Sequence, residues 1–320
     1  MERKNYGLVL CGGGGKGAYQ IGVWKALREK QMDKMVHGIA GASAGALNAM
    51  LFLNGDYDAG EKIWSEIRPI QFLDIVPDGY CSREGILKLM RENIDINALS
   101  KSDIPTYISV THAAATSSMP GSPAERITSA VASLNQVPDD RSGEYLLIND
   151  RSASDITKIL LASTAIPLVY DPVEIDGQLY RDGGLFDNVP IRPLLQTGIR
   201  DLIIVKCSEN QQCDPYLLSQ ADSVLEIVPS ANIGSLLSGT LDFDGRNAIY
   251  RIQIGYYDTI RAIEYYDRRM NGFPPSDAEK AARIAQDKER AVSNARMWHH
   301  MADIDRNRNK IDDILKKYGL

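Results

Sequence analysis

The 320-residue sequence has few of the residues that mark several protein classes. Its four cysteines, at positions 11, 81, 207 and 213, have neither the C-x-x-C spacing of a metal or redox site nor the density of a disulfide framework. No apolar run approaches the ~18 residues of a membrane span, and residues 1–6 are too polar to begin a secretory signal. We therefore predict reduced thiols, no bound metal and a cytoplasmic protein.

Basic charge is not in excess either. The chain has 36 Lys and Arg against 42 Asp and Glu, a formal net charge of -6, which argues against a general nucleic-acid-binding protein. The hydrophobic fraction of 44% and the charged fraction of 24% are those of an ordinary globular protein. Residues 276–320 differ locally, with ten basic and eight acidic side chains, a balance compatible with an anionic membrane surface.

Short apolar runs alternate with helical patterns in the N-terminal half, which is typical of βαβ units and a mainly parallel sheet. Helices are predicted at Ala18–Lys30 and AGALNAMLFL, around Trp64, and at 83–91 and 154–162. The stretch PVEIDGQLYRDGG predicts a hairpin, because Asp176-Gly177 suits a type I′ turn. Strands are predicted at residues 6–10 and in the stretches HGIAGAS, TYISVTHAAA, EYLLIND and DLIIVKC.

Two segments stand apart from this pattern. Residues 117–143, rich in Pro, Gly and Ser, interrupt two predicted strands and could form a lid or a mobile surface loop. Ser276-x-x-Glu279 is a capping box that opens a C-terminal helical region. We predict a main domain at 1–275 and a helical extension at 276–320. The extension should pack on the domain through an apolar helix face of Ile311, Ile314, Leu315 and Tyr318. The alternative is that this face binds a membrane or a partner.

The stretch GLVLCGGGGKGAYQIGV places four consecutive glycines between a predicted strand and a predicted helix. A phosphate-binding P-loop would need G-x-x-x-x-G-K-[ST], but Leu10 stands at its first glycine and Gly17 at its hydroxyl residue. The dinucleotide pattern G-x-G-x-x-G is satisfied, yet no acidic residue ends the next strand to bind a ribose. A serine stands there instead.

That serine is Ser43, and Gly41-x-Ser43-x-Gly45 is the G-x-S-x-G pattern of a nucleophile elbow. Such a turn holds the serine in a strained conformation with its Oγ exposed, and only small residues fit beside it. The helix that follows directs its N-terminal dipole at the serine, which favours an alkoxide or an oxyanion. The alternative is a serine that fills a tight turn or caps the helix.

The glycine loop then has a second possible use. Backbone N–H groups of a loop without side chains can approach the oxyanion that forms when a serine attacks an ester. Loops that follow adjacent parallel strands can lie side by side at the carboxyl ends of the strands, where ligands bind in α/β sheets. Lys16 could steady this loop or attract an anionic head group, or it could be a solvated lysine in the first turn of a helix.

Histidine, the usual base for a serine nucleophile, is scarce, with four in the chain. His37 opens the strand of the serine itself, well before the elbow, and His112 lies near the end of a predicted strand. His299 and His300 follow late in the chain in a helical pattern that has no turn signature. A satisfied structural histidine is the favoured interpretation of His112, and a triad through the late pair is disfavoured.

Asp182, in YRDGGLFDNVP, is the better candidate for the base. Asp-Gly-Gly is a common turn, but Asp176-Gly177 already supplies the turn of this hairpin, which leaves Asp182 at the far end of its second strand. A free aspartate has a pKa of ~3.9 and is a weak base. Asp182 would therefore need burial and a direct hydrogen bond to Ser43.

Taken together, the stretches GGGGKGAYQIGV, GASAGA and LASTAIPLVYDPVEIDGQLYRDGGLFDNVPI resemble the motifs of patatin-like phospholipases in order and separation, over about residues 6–208. The resemblance implies a three-layer α/β/α fold with a central, mainly parallel sheet. It also implies a Ser-Asp dyad of Ser43 and Asp182 that works without histidine, followed by Gly183 and Gly184 of the Asp-Gly-Gly motif. The implied oxyanion hole is the loop of Gly12, Gly13, Gly14, Gly15, Lys16 and Gly17, with Gly13 and Gly14 as the main donors.

This sequence departs from the family pattern at Lys16, where the family often has Arg, and in Asp-Gly-Gly, where Asp-Gly-Ala is also common. The resemblance implies a phospholipase A type lipid acyl hydrolase that forms an acyl-serine intermediate and needs no cofactor or metal. Its membrane phospholipid substrate implies peripheral contact with the inner membrane face, and the net charge of -6 already argues against a nucleic-acid partner.

Three alternatives stay open at this stage. A thioesterase or broad carboxylesterase would use the same dyad. A non-catalytic nucleotide-binding protein would use the glycine loop alone. Because some patatin-like proteins are effectors of bacterial antiphage defence, a phospholipase activated by a cyclic nucleotide is the third, with residues 117–143 or the C-terminal helices as the place for that small-molecule activator.

Overall fold

An eight-stranded sheet runs through the protein. The computed structural model describes residues 4–71, 81–113, 142–167 and 169–318, with backbone only for residues 236, 237 and 305–318. The strands are β1 (Tyr6–Leu10), β2 (Val36–Gly41), β3 (Thr106–His112), β4 (Gly143–Leu147), β5 (Val173–Ile175), β6 (Gln178–Asp182), β7 (Asp201–Val205) and β8 (Ser223–Ile227).

The sheet order is β5-β6-β3-β2-β1-β7-β8, and β4 pairs with β3 outside this path. The five consecutive strands β3, β2, β1, β7 and β8 are parallel to one another. Strands β4 and β6 are antiparallel to β3, and β5 is antiparallel to β6. The prediction of a central, mainly parallel sheet is therefore confirmed. The antiparallel strands lie together at one side of the sheet, which is the side that carries Asp182.

The part of the chain that the structure describes contains ten α-helices, four of which lie between β2 and β3. They are α1 (Ala18–Glu29), α2 (Ala44–Asn54), α3 (Tyr57–Glu66), α4 (Glu84–Asn93), α5 (Ile96–Leu99), α6 (Ala153–Ser163), α7 (Arg192–Gln196), α8 (Pro215–Leu218), α9 (Gly245–Met270) and α10 (Asp277–Tyr318). Among the described residues, no helix has the length and the apolar character needed to cross a membrane.

Both faces of the sheet are covered, as the apolar run of β1 requires. Leu8 and Leu10 point into the larger hydrophobic core, whereas Val9 belongs to a second core on the opposite face. A strand that is buried on both faces is a continuous apolar run because each face needs its own set of apolar side chains. The layers are thus helix, sheet and helix, in agreement with the predicted three-layer fold.

Helix α1 packs closely against α9 because glycines stand at the contact. A Cβ atom on Gly22 would overlap the carbonyl oxygen of Ile252, and one on Gly255 would overlap that of Tyr19. The two backbones can approach this closely only where no side chain intervenes. Helix α9 is therefore held directly against the helix that follows the glycine loop.

The C-terminal region begins with the predicted capping box. The backbone N–H of Ser276 donates to the Glu279 carboxylate at 2.7 Å, and the N–H of Glu279 donates to the Ser276 hydroxyl at 3.2 Å, which confirms that prediction. Helix α10 packs against α9, with Ala291 and Ala295 buried. The division at residue 275 stays a prediction, and the side chains of the predicted face at 311–318 lie outside the described part. Of the predicted lid at 117–143, the structure describes only residues 142 and 143.

Candidate active site

Ser43 lies in the sharp turn between β2 and α2. Its backbone dihedral angles are φ 52° and ψ -125°, a conformation that side-chain-bearing residues rarely adopt and that costs of order 1–3 kcal/mol. The Ser43 side chain makes no capping hydrogen bond to α2, so the capping role considered for this serine is not what the structure contains. The strained turn has the geometry of a nucleophile elbow.

The two glycines of the motif make room for this turn. A Cβ atom on Gly45 would overlap the carbonyl oxygen of Leu10 at the end of β1. A Cβ atom on Gly41 would lie 2.7 Å from the carbonyl oxygen of Gly45. Both approaches are shorter than a side chain allows, so the G-x-S-x-G spacing is required by packing around the elbow.

The Ser43 hydroxyl has a carboxylate partner. Its Oγ donates a hydrogen bond of 2.8 Å to Oδ2 of Asp182, and Oδ1 of Asp182 accepts one of 2.9 Å from the backbone N–H of Gly184. Ser43 is 6% exposed and Asp182 is 2% exposed. The structure therefore brings together the two residues that sequence analysis selected as nucleophile and base.

Strand β3 sets the distance between these two residues. Gly41 of β2 pairs with Ile108, and Asp182 of β6 pairs with Val110, two residues further along the same strand. Because β4 occupies one edge of β3, β2 and β6 must share the other edge in succession. The end of β6 is thereby placed beside the elbow that follows β2.

Burial changes the acidity of Asp182. Desolvation raises the pKa of this carboxyl group to about 7, against the opposing effects of the hydrogen bonds from Ser43 and Gly184. A carboxylate with its pKa near neutrality is a far better proton acceptor than a solvated one. The requirement that sequence analysis placed on Asp182, burial together with a direct bond to Ser43, is met.

Gly183, the glycine after Asp182, packs directly against β3. A Cβ atom on Gly183 would overlap the carbonyl oxygen of Ser109 on β3. The Ser109 hydroxyl donates to the Gly183 carbonyl at 2.9 Å, and the Thr111 hydroxyl donates to the Asp182 carbonyl at 2.6 Å. These bonds tie the Asp-Gly-Gly turn to the strand that also positions the elbow.

Several backbone N–H groups of the glycine loop donate no hydrogen bond to the described part of the chain. The N–H groups of Gly13, Gly14 and Gly15 have no acceptor within the part of the chain that the structure describes. The N–H of Gly12 donates to Oδ1 of Asn188 at 2.8 Å, and that of Lys16 donates to the Gly13 carbonyl at 3.2 Å. Gly12 and Lys16 thus shape the loop, whereas the three glycines between them can offer donors to an oxyanion.

Gly14 of the glycine loop lines the same cavity as Ser43. It has a φ of 55°, and a Cβ atom there would overlap the carbonyl oxygen of Thr240. Gly17, the last glycine of the loop, would bring a Cβ within 3.0 Å of the Ala44 side chain at the start of α2. The glycine loop and the elbow are therefore in direct contact.

Arg251 of α9 is hydrogen-bonded to the backbone of the glycine loop, a contact that no sequence motif indicated. Its guanidinium donates to the carbonyl oxygens of Gly15, at 3.2 Å, and Asp242, at 3.0 Å, and is paired with the Asp242 carboxylate at 2.6 Å. Asn188 was also missed as a partner of the loop, although it stands six residues after Asp182 in a motif already selected.

Lys16 is partly buried at the edge of the loop. Burial lowers the pKa of its ammonium group, with a smaller contribution in the same direction from Arg251. Its side chain passes the backbone of Gly239, where an added Cβ would lie 2.6 Å from Lys16 Cε. The packing is consistent with a lysine that steadies the loop, and attraction of a head group stays a prediction.

An apolar cavity of about 70 Å³ opens beside Ser43. Helices α2, α3 and α4 supply most of its walls, and the wall is almost free of charged groups. A mostly apolar recess next to Ser43 is a suitable place for part of a hydrocarbon chain. The apolar residues around it include Leu47, Leu51, Ile63, Ile67, Ile86, Leu89, Met90, Ile94, Ile166 and Phe243.

The histidines lie elsewhere. Nε2 of His112 is 3.3 Å from a carboxylate oxygen of Glu144, and Nδ1 of His37 is 2.9 Å from the Met35 carbonyl oxygen. His299 and His300 are on α10. No histidine of the described ranges is hydrogen-bonded to Ser43 or Asp182. In the same ranges, no three His, Cys, Asp or Glu side chains converge as metal ligands would.

Comparison with known proteins gives a consistent family. The family model described as patatin-like phospholipase matches residues 8–195. An uncharacterized NTE family protein of Mycobacterium tuberculosis H37Rv is 30% identical over 213 residues, which is 65% of this chain and 50% of that protein. The chain thus spans about half the length of such mycobacterial relatives.

Two further matches cover more of the chain. The human patatin-like phospholipase domain-containing protein 4 is 25% identical over 278 residues, which is 82% of this chain and 97% of that protein. The crystal structure of VipD from Legionella pneumophila aligns with 96% of this chain and 77% of its own, at 14% identity and a TM-score of 0.42. Because the family match spans more than half of the sequence and contains both Ser43 and Asp182, the chain belongs to the patatin-like phospholipase family.

Proposed function

We propose that the protein hydrolyses fatty acyl esters of membrane phospholipids through an acyl-Ser43 intermediate. The observation that carries this proposal is the 2.8 Å hydrogen bond from Ser43 Oγ to the buried Asp182 carboxylate. A serine in a strained elbow with a base on its hydroxyl has the arrangement of an activated nucleophile. Family membership supports a lipid ester as the substrate class.

The first half-reaction transfers the acyl group to the enzyme. Ser43 Oγ attacks the ester carbonyl carbon while Asp182 takes the hydroxyl proton. The resulting oxyanion accepts hydrogen bonds from N–H groups of the glycine loop, those of Gly13 and Gly14 foremost. When the tetrahedral intermediate collapses, the ester C–O bond breaks, and the proton on Asp182 passes to the departing alkoxide. The products are the acyl-enzyme and an alcohol, which for a phospholipid is a lysophospholipid.

The second half-reaction releases the acyl group. A water molecule gives a proton to Asp182 and attacks the acyl carbonyl carbon, and the same donors stabilise the second oxyanion. Collapse breaks the bond to Ser43 Oγ, which recovers the proton from Asp182. A free fatty acid leaves. One carboxylate therefore serves as base and acid in turn, without a histidine.

The cavity beside Ser43 supports an acyl chain as the group bound during attack. Its wall from α2, α3 and α4 is mostly apolar and carries no charged side chain, so a hydrocarbon chain that enters it displaces little water from polar groups. The substrate lies in a membrane, and peripheral contact with the inner membrane face is part of the proposal. A thioester or a simple carboxylic ester would fit the same dyad.

An activity-based probe tests the nucleophile. A fluorophosphonate should label the wild-type protein at Ser43, and Ser43→Ala should abolish both the labelling and the release of fatty acid from phospholipid vesicles. Ser219→Ala, which removes an exposed hydroxyl, is the matched control and should keep both. Labelling that persists in Ser43→Ala would refute the proposal.

A lipid panel tests the substrate. Mass spectrometry of phospholipids, lysophospholipids, acyl thioesters and short-chain esters, incubated with wild type and with Ser43→Ala, separates a phospholipase from a thioesterase or a broad carboxylesterase. Fatty acid together with lysophospholipid is the expected product pair. Adding cyclic nucleotides to the same assay addresses the activator, which stays a prediction because its suggested places are largely outside the described side chains.

A further inference from the structure

Gln211 lies buried between the glycine loop and the end of β7, at 3% exposure. Its Nε2 donates a hydrogen bond of 2.7 Å to the carbonyl oxygen of Gly12, and its Oε1 accepts one of 2.7 Å from the backbone N–H of Cys207. The Cys207 N–H can only donate and the Gly12 carbonyl can only accept, so the two partners fix the orientation of the amide. Both polar atoms of this side chain are hydrogen-bonded, and both of their partners are backbone groups.

The hydrogen bond from Gln211 to the Gly12 carbonyl also sets the direction of the next backbone N–H, that of Gly13. A trans peptide is planar, so the carbonyl of Gly12 and the N–H of Gly13 point in opposite directions within one rigid unit. Holding the carbonyl oxygen on the Gln211 side therefore directs the Gly13 N–H away from Gln211. That N–H has no acceptor in the described part of the protein.

Glycine needs such an external restraint. A peptide between two glycines can rotate at low cost because no Cβ restricts the dihedral angles on either side. The Gly12 N–H already donates to Asn188, so both the N–H and the carbonyl of Gly12 are hydrogen-bonded to side chains. Without Gln211 one of these restraints is lost, and the Gly13 N–H is free to turn.

We propose that Gln211 is a positioning residue for the oxyanion hole: by holding the Gly12 carbonyl, it keeps the Gly13 N–H aimed at the oxyanion that forms on attack by Ser43. The inference rests on the proposed serine hydrolase function. Gln211 lies outside residues 8–195, which match the family model, so it acts on the family's glycine loop from a part of the chain that the match does not reach.

Gln211→Met tests this role, because methionine has a similar length and volume but offers no amide. With a soluble short-chain ester, we expect kcat to fall roughly 10- to 100-fold, toward the loss seen when a whole oxyanion donor is removed. KM should change by less than about threefold, since the Gly13 N–H acts on the transition state. The Ki of a trifluoromethyl ketone, which forms a charged tetrahedral adduct with serine, should rise in parallel with the fall in kcat.

Gln20→Met is the matched control. Gln20 is also buried, at 2% exposure, and its Nε2 donates at 2.7 Å to the carbonyl oxygen of Cys11. The N–H of that peptide unit belongs to Gly12 and is already bonded to Asn188, so Gln20 directs no free donor. We expect a comparable fall in melting temperature but a change in kcat below about threefold.

The outcomes separate the two proposals. A folded Gln211→Met that keeps kcat and the ketone Ki within twofold of wild type overturns the positioning role while leaving the hydrolase function intact. Wild type that neither hydrolyses esters nor reacts with a fluorophosphonate overturns both. Should Gln211→Met not fold, Gln211→Asn keeps the amide but is one methylene too short to span both partners; it should lose kcat in the same way, and full activity would overturn the proposal.

Discussion

At the scale of single residues, the contact between Ser43 and Asp182 could be predicted from the sequence because each belongs to a short motif with its own turn chemistry. Asn188, Gln211 and Arg251 could not be assigned in this way. Each of them bonds to backbone groups of the glycine loop, and such contacts need only a donor or acceptor at the right place in space. A lone Gln or Arg far along the chain gives no pattern from which that place can be inferred.

The raised pKa of Asp182 predicts how activity depends on pH. The carboxylate must be unprotonated to accept the Ser43 proton, and burial raises its pKa to about 7. We therefore expect kcat/KM to rise with pH and to reach half its plateau near pH 7, whereas a solvated aspartate would give a plateau from about pH 5 upward. Initial rates with a soluble ester across pH 5 to 9 measure this.

Two variants act as controls for the profile. Asp182→Asn should be inactive at every pH, because an amide cannot accept the proton. His112→Gln should leave the profile unchanged, since His112 lies beside Glu144 and not at the nucleophile. A rising limb that disappears in His112→Gln would assign the titration to the histidine instead of Asp182.

At the scale of elements, local sequence patterns predicted most helices and strands. The predicted first strand has the same bounds as β1, and the predicted type I′ turn is present, with φ of 51° at Asp176 and 80° at Gly177. What the patterns could not provide is the pairing of β6 with the end of β3, because that contact joins segments distant in sequence. The position of Asp182 relative to Ser43 depends on this pairing.

The contact between α1 and α9 leads to a stability prediction. Gly22→Ala should lower the free energy of unfolding by about 2 kcal/mol, because the new Cβ would overlap the Ile252 carbonyl. Helix propensity alone predicts the opposite sign, since alanine is better than glycine by ~1 kcal/mol inside a helix. Urea denaturation followed by circular dichroism distinguishes the two.

Gly60→Ala in α3 is the comparison for that variant. The nearest atom to its added Cβ is at the edge of the Trp24 ring, 3.2 Å away, and a ring edge can shift where a helix backbone cannot. We expect a smaller loss than for Gly22→Ala. Equal stability of Gly22→Ala and wild type would mean that α1 and α9 can separate without cost.

At the scale of the whole molecule, a buried charge cluster joins α10 to α9. Arg261 of α9 pairs with Asp258 on its own helix and with Asp287 of α10, the latter at 2.6 Å. Asp258 also accepts from the Tyr19 hydroxyl of α1, at 3.1 Å. Helices α9 and α10 thus meet at one guanidinium, and α1 joins them through the Asp258 carboxylate.

Removing one acidic partner of Arg261 should show how much this cluster contributes to the free energy of unfolding. Asp287→Ala leaves Arg261 with an incomplete set of buried partners, and we expect the free energy of unfolding to fall by ~3 kcal/mol. Asp277→Ala breaks the exposed pair with Lys280 on the same helix and should cost at most ~0.5 kcal/mol. Chemical denaturation of both variants gives the comparison, and equal losses would show that the buried cluster adds nothing to docking of α10.

The arrangement of β2 and β6 on one edge of β3 bears on how this protein could diversify. Ser43 and Asp182 are separated by 139 residues of chain, yet their spacing depends on two positions of one strand, Ile108 and Val110. Insertions or deletions anywhere in the connections between these strands leave that spacing unaltered as long as the strands pair. The connecting segments can therefore be exchanged in evolution while the spacing of Ser43 and Asp182 is kept.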